Sequence, residues 1–169
     1  MKTKFLKVLA CVLCLCSLVA VFAACDVVGE NGGDEENIFA VKYKGTTIKL
    51  GSKPEDTVEA LGEPKSKQPT GNCGGLGETV KYDYGSLIIV VVEYDDKAAE
   101  IDQIYLKSDA AETSKGIYIG CSKAEVEAAY GEPNSAVQSS VTYKDGDKLL
   151  TFGFTDGKVD SIILSIGES

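Results

Sequence analysis

One stretch of the sequence occurs twice, and this duplication constrains the fold more than any other feature. Residues 48–64 read IKLGSKPEDTVEALGEP, and residues 117–133 read IYIGCSKAEVEAAYGEP. Each copy predicts a short strand, a brief helix and a Gly-Glu-Pro exit. In each copy a serine, Ser52 or Ser122, is followed three residues later by a glutamate, which is the pattern of a helix capping box. We therefore expect two related structural units.

Apolar patterning around the two helices predicts strands. Phe39, Val41 and Tyr43 recur at every second position, and residues 87–92 form a continuous apolar run typical of a central strand covered on both faces. The first copy is followed by a glycine-rich stretch, residues 66–78, which we interpret as an inserted loop.

These elements predict an α+β fold made of a tandem repeat. Each repeat would be a short helix plus an antiparallel three-stranded meander, with the helices packed on one face of the sheet. The repeats would span residues 38–108 and 109–169 and form a single domain, because one helix on three strands buries little surface alone.

The N-terminus predicts an export signal. Residues 1–24 contain three lysines followed by an uncharged apolar run, and two alanines precede Cys25. This pattern predicts cleavage before Cys25 and its lipidation, with palmitate-type chains that anchor the protein to the extracytoplasmic face of the cell membrane. Ordinary cleavage after Ala24 is the alternative. Residues 25–37, rich in Gly, Asn and acids, would then form a flexible acidic linker.

Three of the six cysteines remain once the signal is removed. If Cys25 carries lipid, Cys73 and Cys121 are left as a candidate disulfide in an oxidising compartment. Two free thiols that never approach each other are the alternative. Two thiols without any histidine do not complete a zinc shell, so neither a metal nor another cofactor is predicted.

The charge composition excludes several functions. The chain has 26 acids against 17 lysines, with no arginine and no histidine, and loss of the signal would leave 14 lysines and a net charge of −12. Nucleic acid is excluded as a partner because phosphate binding needs a basic patch, whereas cationic partners are favoured. Without histidine, Ser-His-Asp and Cys-His catalysis is also excluded, and no enzyme activity is expected.

The phase of the last strand in each unit predicts which side chains point away from the core. Ile104 and Leu106, and likewise Ile162 and Leu164, would face inward because they occupy alternate positions. The intervening positions would form a mixed polar and aromatic surface suited to binding. A surface covered by loops or by the other unit is the alternative. The candidate binding face comprises Gln103, Tyr105, Leu149, Thr151, Ser161 and Ile163.

The paired Gly-Ser-to-Gly-Glu-Pro elements, in tandem over residues 38–166, resemble two families. One is the small envelope lipoproteins of the SmpA/OmlA (BamE-like) type, and the other is the β-lactamase inhibitory protein family. The first resemblance implies helical elements followed by a three-stranded meander, and the second implies two such units forming a concave sheet that grips an enzyme. Residues 73–120 are also similar to uncharacterised lipoproteins of clostridia and their relatives. Tryptophan, common on the inhibitor's binding face, is absent, so no inhibitor contact residue is carried over.

Together these features predict a monomeric, non-catalytic lipoprotein of the cell envelope whose open sheet face binds an envelope or extracellular protein or peptide. An inhibitor of a secreted hydrolase, such as a β-lactamase or a protease, is the first alternative. A carboxylate-based hydrolase is the second, and it would require an acidic pocket.

Overall fold

Two antiparallel sheets and two short helices make up the fold. The structure, a computed structural model, describes residues 37–71 and 77–167. Strands account for 51% and helices for 13% of these residues. The helices are α1 (Pro54–Leu61) and α2 (Lys123–Tyr130). The strands are β1 (Ala40–Tyr43), β2 (Thr46–Lys49), β3 (Ser66–Gly71), β4 (Glu78–Asp83), β5 (Leu87–Glu93), β6 (Glu100–Leu106), β7 (Ala111–Thr113), β8 (Ser135–Val137), β9 (Ser140–Asp145), β10 (Lys148–Thr155) and β11 (Lys158–Ile166).

The larger sheet has eight strands in the order β3-β4-β5-β6-β11-β10-β9-β8. Neighbours in the first half follow one another along the chain, and so do neighbours in the second half. The halves join where β6 pairs with β11, with Tyr105 opposite Ile163 and Gln103 opposite Ser165. At the β10–β11 turn Asp156 and Gly157 both have positive φ, as a two-residue hairpin requires.

The smaller sheet has three strands in the order β2-β1-β7. The predicted alternation in β1 is confirmed, because Val41 and Tyr43 are buried together with Phe39 just before the strand. These side chains share one core with the inner face of the larger sheet, to which fully buried residues such as Ile104 and Phe152 contribute.

The predicted tandem repeat of helix plus three-stranded meander is wrong. The fold is mostly antiparallel β-structure, with one eight-stranded and one three-stranded sheet. Residues 66–71, interpreted as part of a loop, form edge strand β3, and residues 111–113 form β7, which takes β1 into a separate sheet. The helices are only eight residues long, so most of the core is built from strands.

The two helices begin differently despite their similar sequences. At α2 the predicted capping box is confirmed, because Ser122 Oγ accepts a hydrogen bond from the Glu125 amide while the Glu125 carboxylate accepts one from the Ser122 amide. At α1 the predicted box is wrong. Lys53 occupies the N-cap position without a side-chain cap, and Ser52 Oγ donates to the Lys49 carbonyl instead. The duplicated sequence therefore does not impose duplicated geometry.

The described core extends from Phe39 to Leu164, and residues 35–169 form one compact unit. A unit that carries its own core is expected to fold independently. Within residues 37–71 and 77–167, no helix is long and apolar enough to span a bilayer.

Candidate functional site

The outer face of the eight-stranded sheet carries a continuous row of side chains across its central strands. Tyr105 on β6 lies opposite Ile88 on β5 and opposite Ile163 on β11. Ile163 in turn lies opposite Thr151 on β10, which lies opposite Thr142 on β9. At about 4.8 Å between neighbouring strands, this row is about 19 Å long.

A second row runs parallel to the first. Gln103 on β6 lies opposite Ser165 on β11, and Leu149 on β10 lies opposite the same serine. Ser161 lies opposite Gly153 further along the same two strands. The structure therefore brings the six residues of the candidate binding face together on one side of three adjacent strands, and all six are half-buried. That this surface binds a partner stays a prediction.

Apolar side chains on this face are separate from the core of the described residues. The core cluster includes Ile104 and Leu164 from the inner face but not Tyr105, Leu149 or Ile163. These outer side chains are shielded by their neighbours within the sheet rather than by inclusion in that core. A half-buried aromatic and aliphatic surface of this kind can gain further burial when a partner docks.

A β-bulge in β6 changes which side chains reach this face. Val90 pairs with Gln103, but the next residue of β5, Val91, pairs with Ile101, so Asp102 is the extra residue. The bulge allows Ile101 and Ile104, which are three apart, both to be fully buried. The adjacent Asp102 and Gln103 are both only half-buried and both line the same outer cavity.

This cavity has a volume of about 440 Å³ and lies where β4, β5 and β6 run side by side. The buried side chains of Val90 and Val92 give it an apolar lining. Two aromatic side chains, Tyr94 and Tyr105, also line it, as does Lys81 from β4. The cavity thus adjoins the row of outer-face residues through Tyr105.

Glu100, at the start of β6, lines the cavity, and its carboxylate already has hydrogen-bond donors within the chain. It accepts hydrogen bonds from Tyr94 Oη at 2.7 Å and from Lys97 Nζ at 3.0 Å, and Lys97 Nζ also lies 3.7 Å from the centre of the Tyr94 ring. Although burial raises the pKa of Glu100, these two hydrogen bonds outweigh burial and lower the pKa below its usual value. Glu100 is therefore an ionised, locally neutralised group.

Asp102 is in a different electrostatic environment. Burial raises the pKa of its carboxyl, the hydrogen bond from Gln103 Nε2 (3.1 Å) opposes that rise, and the nearby charge of Glu100 adds to it. Tyr105 Oη donates to Gln103 Oε1, so the three side chains form one chain of hydrogen bonds. Among the described residues, no lysine forms an ion pair with Asp102.

The sheet contains a second bulge with the same local sequence pattern, and it serves as an internal reference. Asp160 is the extra residue between Val159 and Ser161, just as Asp102 is between Ile101 and Gln103. Asp160 is exposed and accepts a hydrogen bond from Thr155 Oγ1 at 2.5 Å. The bulges share their backbone arrangement, but the two carboxylates differ in exposure and partners.

The residue opposite each bulge accounts for part of this difference. Opposite Ser161 stands Gly153, and a Cβ built there would lie 2.2 Å from Ser161 Oγ and 2.9 Å from Asp160 Oδ1. The side chains at the second bulge therefore occupy the space above a glycine. Opposite Gln103 stands Val90, whose side chain excludes such a collapse, and the cavity lies at this point.

The two carboxylates of the cavity have pKa values shifted in opposite directions, which is a pattern seen in general acid–base pairs. A hydrolytic pair requires both groups to reach one bond of the substrate. Here Glu100 is held by Tyr94 and Lys97, and only Asp102 lacks a cationic partner among the described side chains. The binding function and the hydrolase alternative both stay predictions.

A separate groove of about 490 Å³ lies beside α1. Of its charged lining residues, Lys67 pairs with Glu63 at 3.1 Å and lies over the Tyr82 ring, whereas Glu55 and Glu59 form no ion pair among the described residues. None of the six candidate binding-face residues lines this groove. We therefore take the outer-face cavity as the candidate site.

Sequence reasoning found the outer-face phase but missed most of the cavity, including Lys81, Val90, Tyr94 and Asp102. The available signal was the three-residue spacing of Ile101 and Ile104 within β6, since both can face the core only if a bulge lies between them.

Of the cysteines to which a role was assigned, Cys25 and Cys73 lie outside the described residues. Cys121 lies between β7 and α2 along the chain, and its side chain is buried in the core. The lipidation and the disulfide therefore both stay predictions. No group of three or more Asp, Glu or Cys side chains in the part of the chain that the structure describes is placed to hold a metal ion.

Comparison with known proteins gives little similarity. No protein-family model and no curated protein matches the chain. Among solved structures, the chain is similar to a DUF4309 family protein (YjgB) from Bacillus subtilis, with 18% identity, a TM-score of 0.39, and coverage of 68% of this chain and 78% of the other. A similarity this remote carries no inference about the present chain. The resemblance to envelope lipoproteins and to the inhibitory protein family stays a prediction.

Proposed function

We propose that this protein is a non-catalytic, lipid-anchored protein of the cell envelope that binds an extended segment of a partner protein on the outer sheet face. The observation that carries this proposal is the row across the central strands, in which Ile88, Tyr105 and Ile163 are adjacent and lie outside the core. Rigid aromatic and β-branched side chains on a regular sheet contribute contact area at low entropic cost.

The lipid anchor is supported by the sequence of residues 1–25. Substitution of Cys25→Ala should release the exported protein from the membrane fraction and abolish labelling with a radioactive or clickable palmitate analogue. Retention of both membrane association and label in the variant would contradict the anchor.

The binding face is tested with a displayed library of random peptides about 12 residues long, selected on the unit comprising residues 35–169. Selected peptides should lose at least tenfold in affinity for the double variant Tyr105→Thr/Ile163→Thr, because hot-spot side chains each contribute more than about 1 kcal/mol to binding. Threonine keeps the preference for strand structure, so the sheet is preserved.

Tyr118→Thr is the matched control, because Tyr118 is a 41% exposed tyrosine outside the eight-stranded sheet. Peptides should bind this variant and the parent protein equally. If the double variant retains full affinity, or if the control loses as much, the outer face is not the binding surface.

A further inference from the structure

The cavity beside Asp102 combines the three features that recognise a lysine side chain. Its apolar lining, from Val90 and Val92, suits the four-carbon stem of lysine. Of its two aromatic rings, that of Tyr105 suits a cation, because the faces of such rings attract positive charge, whereas Lys97 already lies over the Tyr94 ring. Asp102 supplies a carboxylate that has no ion-pair partner among the described residues.

The bulge is what places this carboxylate next to the apolar lining. At the second bulge, Asp160 is exposed and is satisfied by a threonine hydroxyl. At the first bulge Asp102 is half-buried, and its one hydrogen-bond donor among the described side chains is the neutral amide of Gln103. A partly desolvated carboxylate without a counter-charge gains more from an incoming ammonium group than a solvated one does.

The other charges around the cavity are accounted for. Glu100 is neutralised by Lys97 at 3.0 Å. Lys81 lines the cavity from β4, but its side chain is exposed, so water screens its charge. Beyond the cavity, the chain has a formal net charge of −9, which attracts cationic segments over longer distances.

We propose that the cavity binds the side chain of a lysine in the partner segment, with its ammonium group at Asp102 and its stem over Val90. This inference rests on the proposed function, because the cavity adjoins the outer-face row through Tyr105. It assigns to the partner a required basic residue that anchors the segment at one end of the row.

The test titrates Nα-acetyl-lysine N-methylamide into the ¹⁵N-labelled unit of residues 35–169 and follows backbone amide shifts by NMR. Saturable shifts are expected at Asp102, Gln103 and Tyr105. The norleucine analogue, which has the same stem without the charge, should bind at least tenfold more weakly, because a charge-assisted hydrogen bond is lost.

Two variants and one matched control make the test specific. Asp102→Asn should weaken binding of the lysine amide at least tenfold, whereas Asp160→Asn, the same change at the matched bulge, should leave it unchanged. Lys81→Gln should strengthen binding about twofold, because a screened like charge is removed. Equal binding of the norleucine amide, no saturable shift with the lysine amide, or an equal loss in both Asp→Asn variants would each overturn the proposal.

Failure of this inference can be told apart from failure of the proposed function. If library peptides depend on Tyr105 and Ile163 but show no enrichment of lysine, the sheet face binds and the lysine anchor is wrong. If the peptides bind independently of both residues, the proposed function itself fails.

Discussion

Deleting Asp102 should leave the fold intact, whereas deleting Tyr105 from the same strand should disrupt it. In β6, Ile101 and Ile104 are both fully buried because the bulge accommodates one extra residue between them. Without Asp102, Ile101, Gln103 and Ile104 alternate as in a regular strand, and every buried side chain keeps its face. The deletion also leaves the pairing of β6 with β11 untouched, because that pairing ends at Gln103.

Deletion of Tyr105 has no such compensation. It makes Ile104 and Leu106 direct neighbours, so at least one of these buried side chains must turn outward. Moving one large aliphatic side chain out of the core costs about 2–5 kcal/mol, which is a large part of a typical total stability of about 5–15 kcal/mol. Deletion of Asp102 moves no buried side chain, so it should cost about 1 kcal/mol, which is the typical cost of a single mutation.

Urea and thermal unfolding of the unit of residues 35–169, followed by circular dichroism, separate these expectations. At about 2–8 °C per kcal/mol, the Asp102 deletion should lower Tm by about 2–8 °C and the Tyr105 deletion by about two to five times as much. Equal destabilisation by the two deletions would refute the assignment of Asp102 as the bulge residue, and so would unfolding caused by the Asp102 deletion alone.

Three further predictions concern local geometry and electrostatics. Ser122→Ala should lower the free energy of unfolding by about 1 kcal/mol, whereas Ser52→Ala should cost much less, because only Ser122 caps a helix; equal losses in urea melts would contradict this. Gly153→Ala should lower the free energy of unfolding by about 1–3 kcal/mol, because the added Cβ would lie too close to Ser161 Oγ. The loss should be smaller in a Ser161→Ala background, which a double-mutant cycle would measure. Burial raises the pKa of Asp102 above its unfolded value, so the native state holds the proton to higher pH and the contribution of this group to stability falls as pH rises through that window. Asp102→Asn should therefore gain stability relative to the parent protein as pH rises from about 3 to 7. A difference in unfolding free energy that stays constant with pH would contradict the raised pKa.

Local sequence patterns predicted individual elements well. The alternation at Phe39, Val41 and Tyr43 identified β1, and the serine–glutamate pair identified the cap of α2 at Ser122. Both depend on interactions between residues within five positions of each other, which the sequence displays directly.

The arrangement of strands could not be predicted in the same way. Residues 66–71 are polar and contain Pro69, because an edge strand needs no apolar face and can tolerate a proline. Residues 111–113 are too few to show a period. β1 belongs to a separate sheet because it pairs with β2 and β7. With β7 unrecognised, the sequence indicated one sheet of repeated units in place of two sheets.

The candidate site shows the same division. The phase of Gln103 and Tyr105 was readable within one strand. The cavity instead depends on which residues of β4 and β5 stand beside β6, and on the contrast between Val90 and Gly153 opposite the two bulges. The register between strands is a property of the folded sheet, and it cannot be read from a single sequence.

The place of β11 in the sheet has a consequence for folding as the chain is synthesised. It follows every other described strand along the chain, yet it lies in the middle of the eight-stranded sheet, between β6 and β10. A chain that emerges from the ribosome N-terminus first would form β3 to β6 with one border of β6 unpaired, and that border would stay open until β11 is synthesised. The interval between these two events is when the nascent protein is most vulnerable to pairing with another copy of itself, and it is when a chaperone would protect it most effectively.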